Sequence, residues 1–161
     1  MKIKSVEINY HKSGLEVTTA KGRYFLPFLK LRLAPSSRNK IASIGVDKEL
    51  GSQWVTYTLE SGEEDSVPLD AFLEYNRDPE YFRTLVLHQL TVKAQKAVEA
   101  SGLSKREIIR KLKTSPTQLY RLLDSANYSK TVDQMLKLLA CVGIDVLSFF
   151  SDSVRKKSKA A

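Results

Sequence analysis

The side chains best equipped for chemistry gather in one stretch, Leu103 to Lys130. Lys105, Arg106, Arg110, Lys111, Lys113, Arg121 and Lys130 fall there, among Ser115, Thr117, Gln118, Tyr120, Asn127 and Tyr128. Cations at that density attract a polyanion, and the hydroxyls and amides beside them can fix it by hydrogen bonds. The formal charge of +8 is unevenly placed along the chain. Residues 1–80 hold 11 Lys/Arg against 12 Asp/Glu, whereas residues 81–161 hold 15 against 6. A basic half is also what a solvated surface with a basic tail would give. Its coincidence with a run of helix signals tips the reading toward nucleic acid.

Groups suited to catalysis do not gather in the same way. His11 and His88 are far apart, and no His, Cys and carboxylate run has zinc spacing. A phosphate-cradling G-x-x-x-x-G-K-[ST] loop is missing, and so is a G-x-S-x-G elbow. Asp47, Glu49, Glu63, Glu64 and Asp65 sit among turn residues and read as solvation charges rather than an acid/base pair. Cys141 cannot form an internal disulfide, which fits a reducing compartment, and its place in an apolar helical stripe makes it a small hydrophobe. The N-terminus opens on Met1-Lys2-Ile3-Lys4 without the apolar core of a signal peptide, and no apolar run is long enough to cross a bilayer. The expectation is a cytoplasmic protein that is not an enzyme and needs no cofactor or metal.

Three helix starts position the basic stretch. Ser104-Lys105-Arg106-Glu107 fits a capping box, with Leu103 and Ile108 placed to close a hydrophobic staple. Ser115-Pro116-Thr117-Gln118 repeats the box with proline at the first helical position, and Thr131-Val132-Asp133-Gln134 is a third. The first helix runs from about Lys105 to Leu112 with Ile108, Ile109 and Leu112 on one face. Only Lys113 and Thr114 precede the next cap, too little chain for antiparallel helices, so a sharp helix-turn-helix bend is expected. The second helix, about 116–124, buries Leu119, Leu122 and Leu123. Thr117, Gln118 and Arg121 are left pointing outward, with Tyr120 at the margin.

This stretch, within roughly Ala94 to Phe150, resembles the helix-turn-helix of Cro and phage repressors, the XRE-type transcriptional regulators. Leu103 and Ser104 match the family's start, Leu112 and Leu119 its core positions, and Ser115 its second cap. Two positions depart: Ile109 stands where a small alanine is usual, and Lys113 where glycine usually supplies a left-handed turn. The resemblance implies that the second helix enters the major groove of double-stranded DNA, with Pro116, Thr117, Gln118 and Arg121 facing base edges. Arg121 would pair with guanine; Gln118 would read adenine or serve its cap. Lys105, Arg106, Ser115, Tyr120, Asn127, Tyr128 and Lys130 would hold phosphates, with plain solvation the alternative for the lysines. A homodimer on two half-sites is implied as well.

The rest of the chain completes an α+β expectation: an N-terminal antiparallel β-rich domain, 1–76, then an all-α repressor-like domain, 77–151, then a basic disordered tail, 152–161. Strands are expected at Ile3–Ile8, Leu15–Thr19, Arg23–Leu26, Ile41–Val46, Gln53–Leu59 and Asp65–Pro68, forming one sheet without internal repeat. Pro27 ends the third strand or places it on an edge. This part faintly resembles a small bacterial β-domain family of unknown function. Leu69–Tyr75 reads as a short helix. Asp78-Pro79-Glu80 opens a long one that either runs on to Ser101, about 34 Å, where Gly102 stops it, or breaks near Thr91, where the apolar stripe is irregular. Val132 to Val142 forms a helix with a broad apolar face, and Ile144–Phe150 adds a last one whose Phe149 and Phe150 serve the core or a dimer contact. The rival function is an antitoxin or adaptor whose β-domain binds a protein partner, motivated by the charge balance there and by Tyr24, Phe25, Trp54 and Tyr57. A ligand sensor is a further possibility with no residue to nominate the ligand.

Overall fold

Residues 1–150 are described in the computed structural model; the basic tail expected at 152–161 lies outside them. The chain divides into two compact units, Met1–Phe82 and Arg83 onward. The division falls inside a helix, six residues past the expected Asn76–Arg77 boundary, because Tyr81 still packs on the core of the first unit.

The first unit holds six strands: β1 (Ile3–Asn9), β2 (Gly14–Thr19), β3 (Arg23–Pro27), β4 (Ile41–Asp47), β5 (Trp54–Leu59) and β6 (Glu64–Pro68). They do not form the single sheet expected. They make two antiparallel three-stranded meanders, β1-β2-β3 and β4-β5-β6. The second repeats the first closely. β1 and β4 share the same order of buried and exposed positions, and both slip register after the first residue. Gly14 pairs with Pro27 as Trp54 pairs with Pro68, and a helical turn follows each proline. After Pro27 it is a single 3-10 turn, Phe28–Lys30; after Pro68 it is α1 (Leu69–Tyr75). Pro27 thus closes an edge strand, where its missing N–H removes no ladder bond.

Alternation along the middle strands builds one core from both sheets. Leu15 and Val17 of β2 and Val55, Tyr57 and Leu59 of β5 are buried, with Phe72 of α1 against them. Gly14 is required by contact: a β-carbon there would lie 2.4 Å from the Phe25 ring and 2.5 Å from the Leu26 carbonyl.

Helix α2 (Pro79–Ala100) begins as expected, Asp78 Oδ1 accepting the Tyr81 N–H at 2.8 Å, and Gly102 beyond its end holds positive φ. It does not break at Thr91. That side chain is fully buried, and its hydroxyl donates to the Leu87 carbonyl at 2.7 Å, so a polar group in the apolar stripe is satisfied within the helix. Leu87, Leu90, Ala94 and Ala97 turn one face of α2 into the core of the second unit. Helices α3 (Lys105–Leu112), α4 (Pro116–Leu123) and α5 (Val132–Cys141) complete that core with Ile108, Leu119, Leu122, Met135, Leu138 and Leu139. Cys141 packs beside it, half-buried. Beyond α5 the chain turns through successive bonds, Ser148 N–H to Asp145, Phe149 to Val146 and Phe150 to Leu147. The two phenylalanines part company there: Phe149 packs on the core, and Phe150 is exposed. Among the described residues no helix is long and apolar enough to cross a membrane.

Candidate nucleic-acid interface

Local chemistry fixes where α3 and α4 begin. The Ser104 hydroxyl accepts the Glu107 N–H at 3.3 Å, and the Glu107 carboxylate accepts the Ser104 N–H at 2.7 Å, a complete capping box. The Ser104 N–H, and the Ser104 hydroxyl donating to the same carboxylate at 2.8 Å, hold the Glu107 carboxyl below its usual range. At α4 the box is only half made. Ser115 accepts the Gln118 N–H at 3.2 Å, but the Gln118 side chain does not return to Ser115. Of the two roles open to Gln118, the structure does not use the capping one.

The turn between the helices is made by a lysine. Lys113 takes the left-handed conformation, φ 52° and ψ 48°. Its N–H donates to the Arg110 carbonyl at 3.2 Å, and the Thr114 N–H to Ile109 at 3.1 Å. That is the Schellman pattern a glycine would give, held by a residue with a β-carbon at a cost of about 1 kcal/mol. Ile109, the other departure from the family form, is half-buried at the margin of the core rather than wedged between helices.

Helix α4 is amphipathic across its two turns. Leu119 and Leu122 are buried, Leu123 and Gln118 half-buried, and Pro116, Thr117, Tyr120 and Arg121 exposed. Lys105, at the start of α3, reaches this open side: its ammonium lies 4.7 Å from the centroid of the Tyr120 ring and 3.4 Å from the Tyr120 hydroxyl. Arg106, Arg110, Lys111 and Lys113 are also exposed. Among the described residues none of these cations, nor Arg121, is in a salt bridge with a carboxylate. The structure therefore gathers Lys105, Arg106, Ser115, Pro116, Thr117, Gln118, Tyr120 and Arg121 on two consecutive short helices, with one acid, Glu107, among them and already bonded.

Two residues expected to hold phosphate face elsewhere. Lys130 is not available to a ligand: it is 3% exposed, and its ammonium donates to the carbonyls of Leu122 at 2.9 Å and Asp124 at 2.6 Å. Burial pulls its pKa down, against an upward pull from the Asp124 charge. A lysine in a polar loop looks like a surface cation in sequence; here the end of α4 supplies carbonyls that draw it inward. Asn127 is also committed within the loop. Its amide donates to the Arg121 carbonyl at 3.1 Å, and its oxygen accepts from the Ser129 N–H and hydroxyl. Tyr128 keeps an exposed ring.

Two residues of α2 belong to the same region and had no sequence signal. Gln95 donates to the Leu123 carbonyl at 2.7 Å, and Arg83 to the carbonyls of Tyr128 at 3.1 Å and Lys130 at 3.4 Å. Only a tertiary fold reveals such partners, since nothing in the spacing of α2 points to a loop tens of residues away.

No family model matches the chain, and no curated protein matches it either.

Proposed function

We propose that the chain is a sequence-specific DNA-binding transcriptional regulator of the helix-turn-helix kind, with α4 as the recognition helix. The observation that carries this reading is the open side of α4, Thr117, Tyr120 and Arg121 exposed beside cations that, among the described residues, form no salt bridge. Arg121 suits a bidentate pair with guanine, and Thr117 and Gln118 suit base edges or a thymine methyl. Lys105 and Arg106 suit phosphates, which set register without carrying sequence. The Lys105–Tyr120 contact orders one such cation before any DNA arrives. A helix of eight residues gives limited affinity alone, so a homodimer on half-sites about 34 Å apart is the working geometry.

A salt series of fluorescence anisotropy tests the reading. Binding should fall linearly in log–log form as salt rises, since phosphate contacts release counterions. Lys105→Ala should weaken selected and random duplexes alike and flatten that slope by about one. No binding at low salt, or binding indifferent to salt, would reject DNA as the ligand.

The rival reading, an adaptor or antitoxin with a protein partner on the β-region, has one observation of its own. An open groove of about 520 Å³ in the first unit is lined by residues that include Tyr10, Phe28, Leu29, Lys12 and Lys40. The strand aromatics lend it less: Tyr24 and Tyr57 are in the core, and Phe25 and Trp54 are half-buried. Co-purification from the native host with a stoichiometric partner would favour it.

A further inference from the structure

We infer that Lys130, Gln95 and Asn127 are positioning residues for the recognition helix: they clamp the C-terminal end of α4 and so set the aim of Thr117, Gln118 and Arg121. The inference rests on the DNA-binding reading above.

A helix leaves its last carbonyls without partners inside the helix, and they must be satisfied elsewhere. The neighbours of α4 solve this with their own backbone. Helix α3 ends on the bonds from Lys113 and Thr114, and α5 on bonds from Gly143 N–H to Ala140 at 3.1 Å and Ile144 N–H to Leu139 at 3.0 Å. Helix α4 ends differently. Asp124 is extended there, and the carbonyls of Arg121, Leu122, Leu123 and Asp124 each accept from a side chain. The donors come from three places: Asn127 from within the loop, Lys130 from its far end, and Gln95 from α2.

Lys130 gives the clearest sign that this end is built. An ammonium is expensive to bury, and here it is buried against two carbonyls at the negative end of the helix dipole. The long loop it anchors is pinned a second time, by Arg83 on the Tyr128 and Lys130 carbonyls. Leu119 and Leu122 already hold α4 to the core. Side-chain tethers at one end add control of its rotation and tilt. A bidentate arginine–base contact tolerates only about 0.5 Å and 10–20° of misplacement, so that control is what base reading requires.

The test uses the full chain with a duplex selected from a random library and a scrambled duplex of the same composition. Gln95→Met, Lys130→Met and Lys130→Arg are compared with wild type over a salt series. Gln95→Met and Lys130→Met should each lower the ratio of selective to non-selective affinity by about tenfold, the worth of a misaimed bidentate pair. Affinity for the scrambled duplex and the salt slope should not change. Lys130→Arg, which keeps a cationic donor, should restore part of the ratio. A salt slope lowered by about one in Lys130→Met would make Lys130 a phosphate ligand and overturn the inference. Equal losses on both duplexes would make the tethers merely structural and overturn it too. Should Lys130→Met not fold, Gln95→Met decides. A wild-type chain that binds no duplex removes the DNA reading and the inference with it, whereas variants that keep full selectivity remove the inference alone.

Discussion

Arg32, in the first unit, is bonded to both oxygens of Asp65, at 2.5 and 3.2 Å; Arg121, in the second, stands exposed on α4 with no salt bridge among the described residues. The surroundings differ to match. The Arg32 hydrogen bonds hold the Asp65 carboxyl below its usual range. Next to it the buried Tyr57 hydroxyl donates to the Leu33 carbonyl at 2.9 Å, and burial, then the Asp65 charge, pushes its pKa up to about 12. That network closes on itself and ties the segment after the 3-10 turn to β5 and β6. Around Arg121 the backbone is tied down with equal care, while the charged side chains are left open. Where polar groups satisfy one another they hold a fold; where they stand open to solvent, the proposed reading has them meet DNA.

The strongest way to break this contrast is to loosen the support under the open face. Leu119 is fully buried between α4 and the core, and Leu119→Ala should destabilise the protein by about 2–5 kcal/mol in urea or thermal unfolding. A loss under about 1 kcal/mol would mean that α4 is not held by its apolar side.

Next in size is an attack on the closed network by alkali. Tyr57 has a folded pKa of about 12 against an ordinary 10.0, so the neutral phenol is the form the fold favours. Its contribution is whole below pH 10 and is lost as pH rises toward 12, because the unfolded chain releases the proton first. The total is of the order of 2 kcal/mol, read as a falling urea midpoint between pH 9 and pH 11.5. A midpoint that holds or rises over that span contradicts the network.

The smallest effect sharpens the comparison, since it changes the turn without touching the face. Lys113→Gly removes a β-carbon from a left-handed position at the expense of a more flexible unfolded chain. A net gain below about 1 kcal/mol should appear as a small rise in the thermal midpoint. A fall would show that the lysine stem contributes packing its exposure does not suggest.

Much of this arrangement was legible in the sequence because it is local. Ser104 with Glu107, Thr131 with Gln134, and Pro116 after Ser115 state their helix starts within four residues, and those starts fall where expected. The strands were legible by alternation, but their division into two sheets was not, since any meander pairs its own neighbours whichever sheet follows. The repeat was hidden because its halves keep geometry rather than residues: Val17 corresponds to Tyr57, and Gly14 to Trp54. The two strand-ending prolines, Pro27 and Pro68, each after a glycine-containing turn, were the signal that could have exposed it. Thr91 left a helix break open, and Lys130 misled, for one reason. A polar residue in an apolar stripe, or a lysine in a loop, is judged by type, whereas carbonyls at Leu87, Leu122 and Asp124 decide the outcome.

Selection of duplexes from a random library by the wild-type chain and by Arg121→Ala tests the central claim most directly. The expected result is a motif enriched by wild type, repeated at half-sites about one helical turn apart, with one guanine position lost and about 1–3 kcal/mol of discrimination removed in Arg121→Ala while folding is unchanged. No enrichment by the wild-type chain, or an identical motif from Arg121→Ala, would contradict the assignment of α4 as the element that reads DNA.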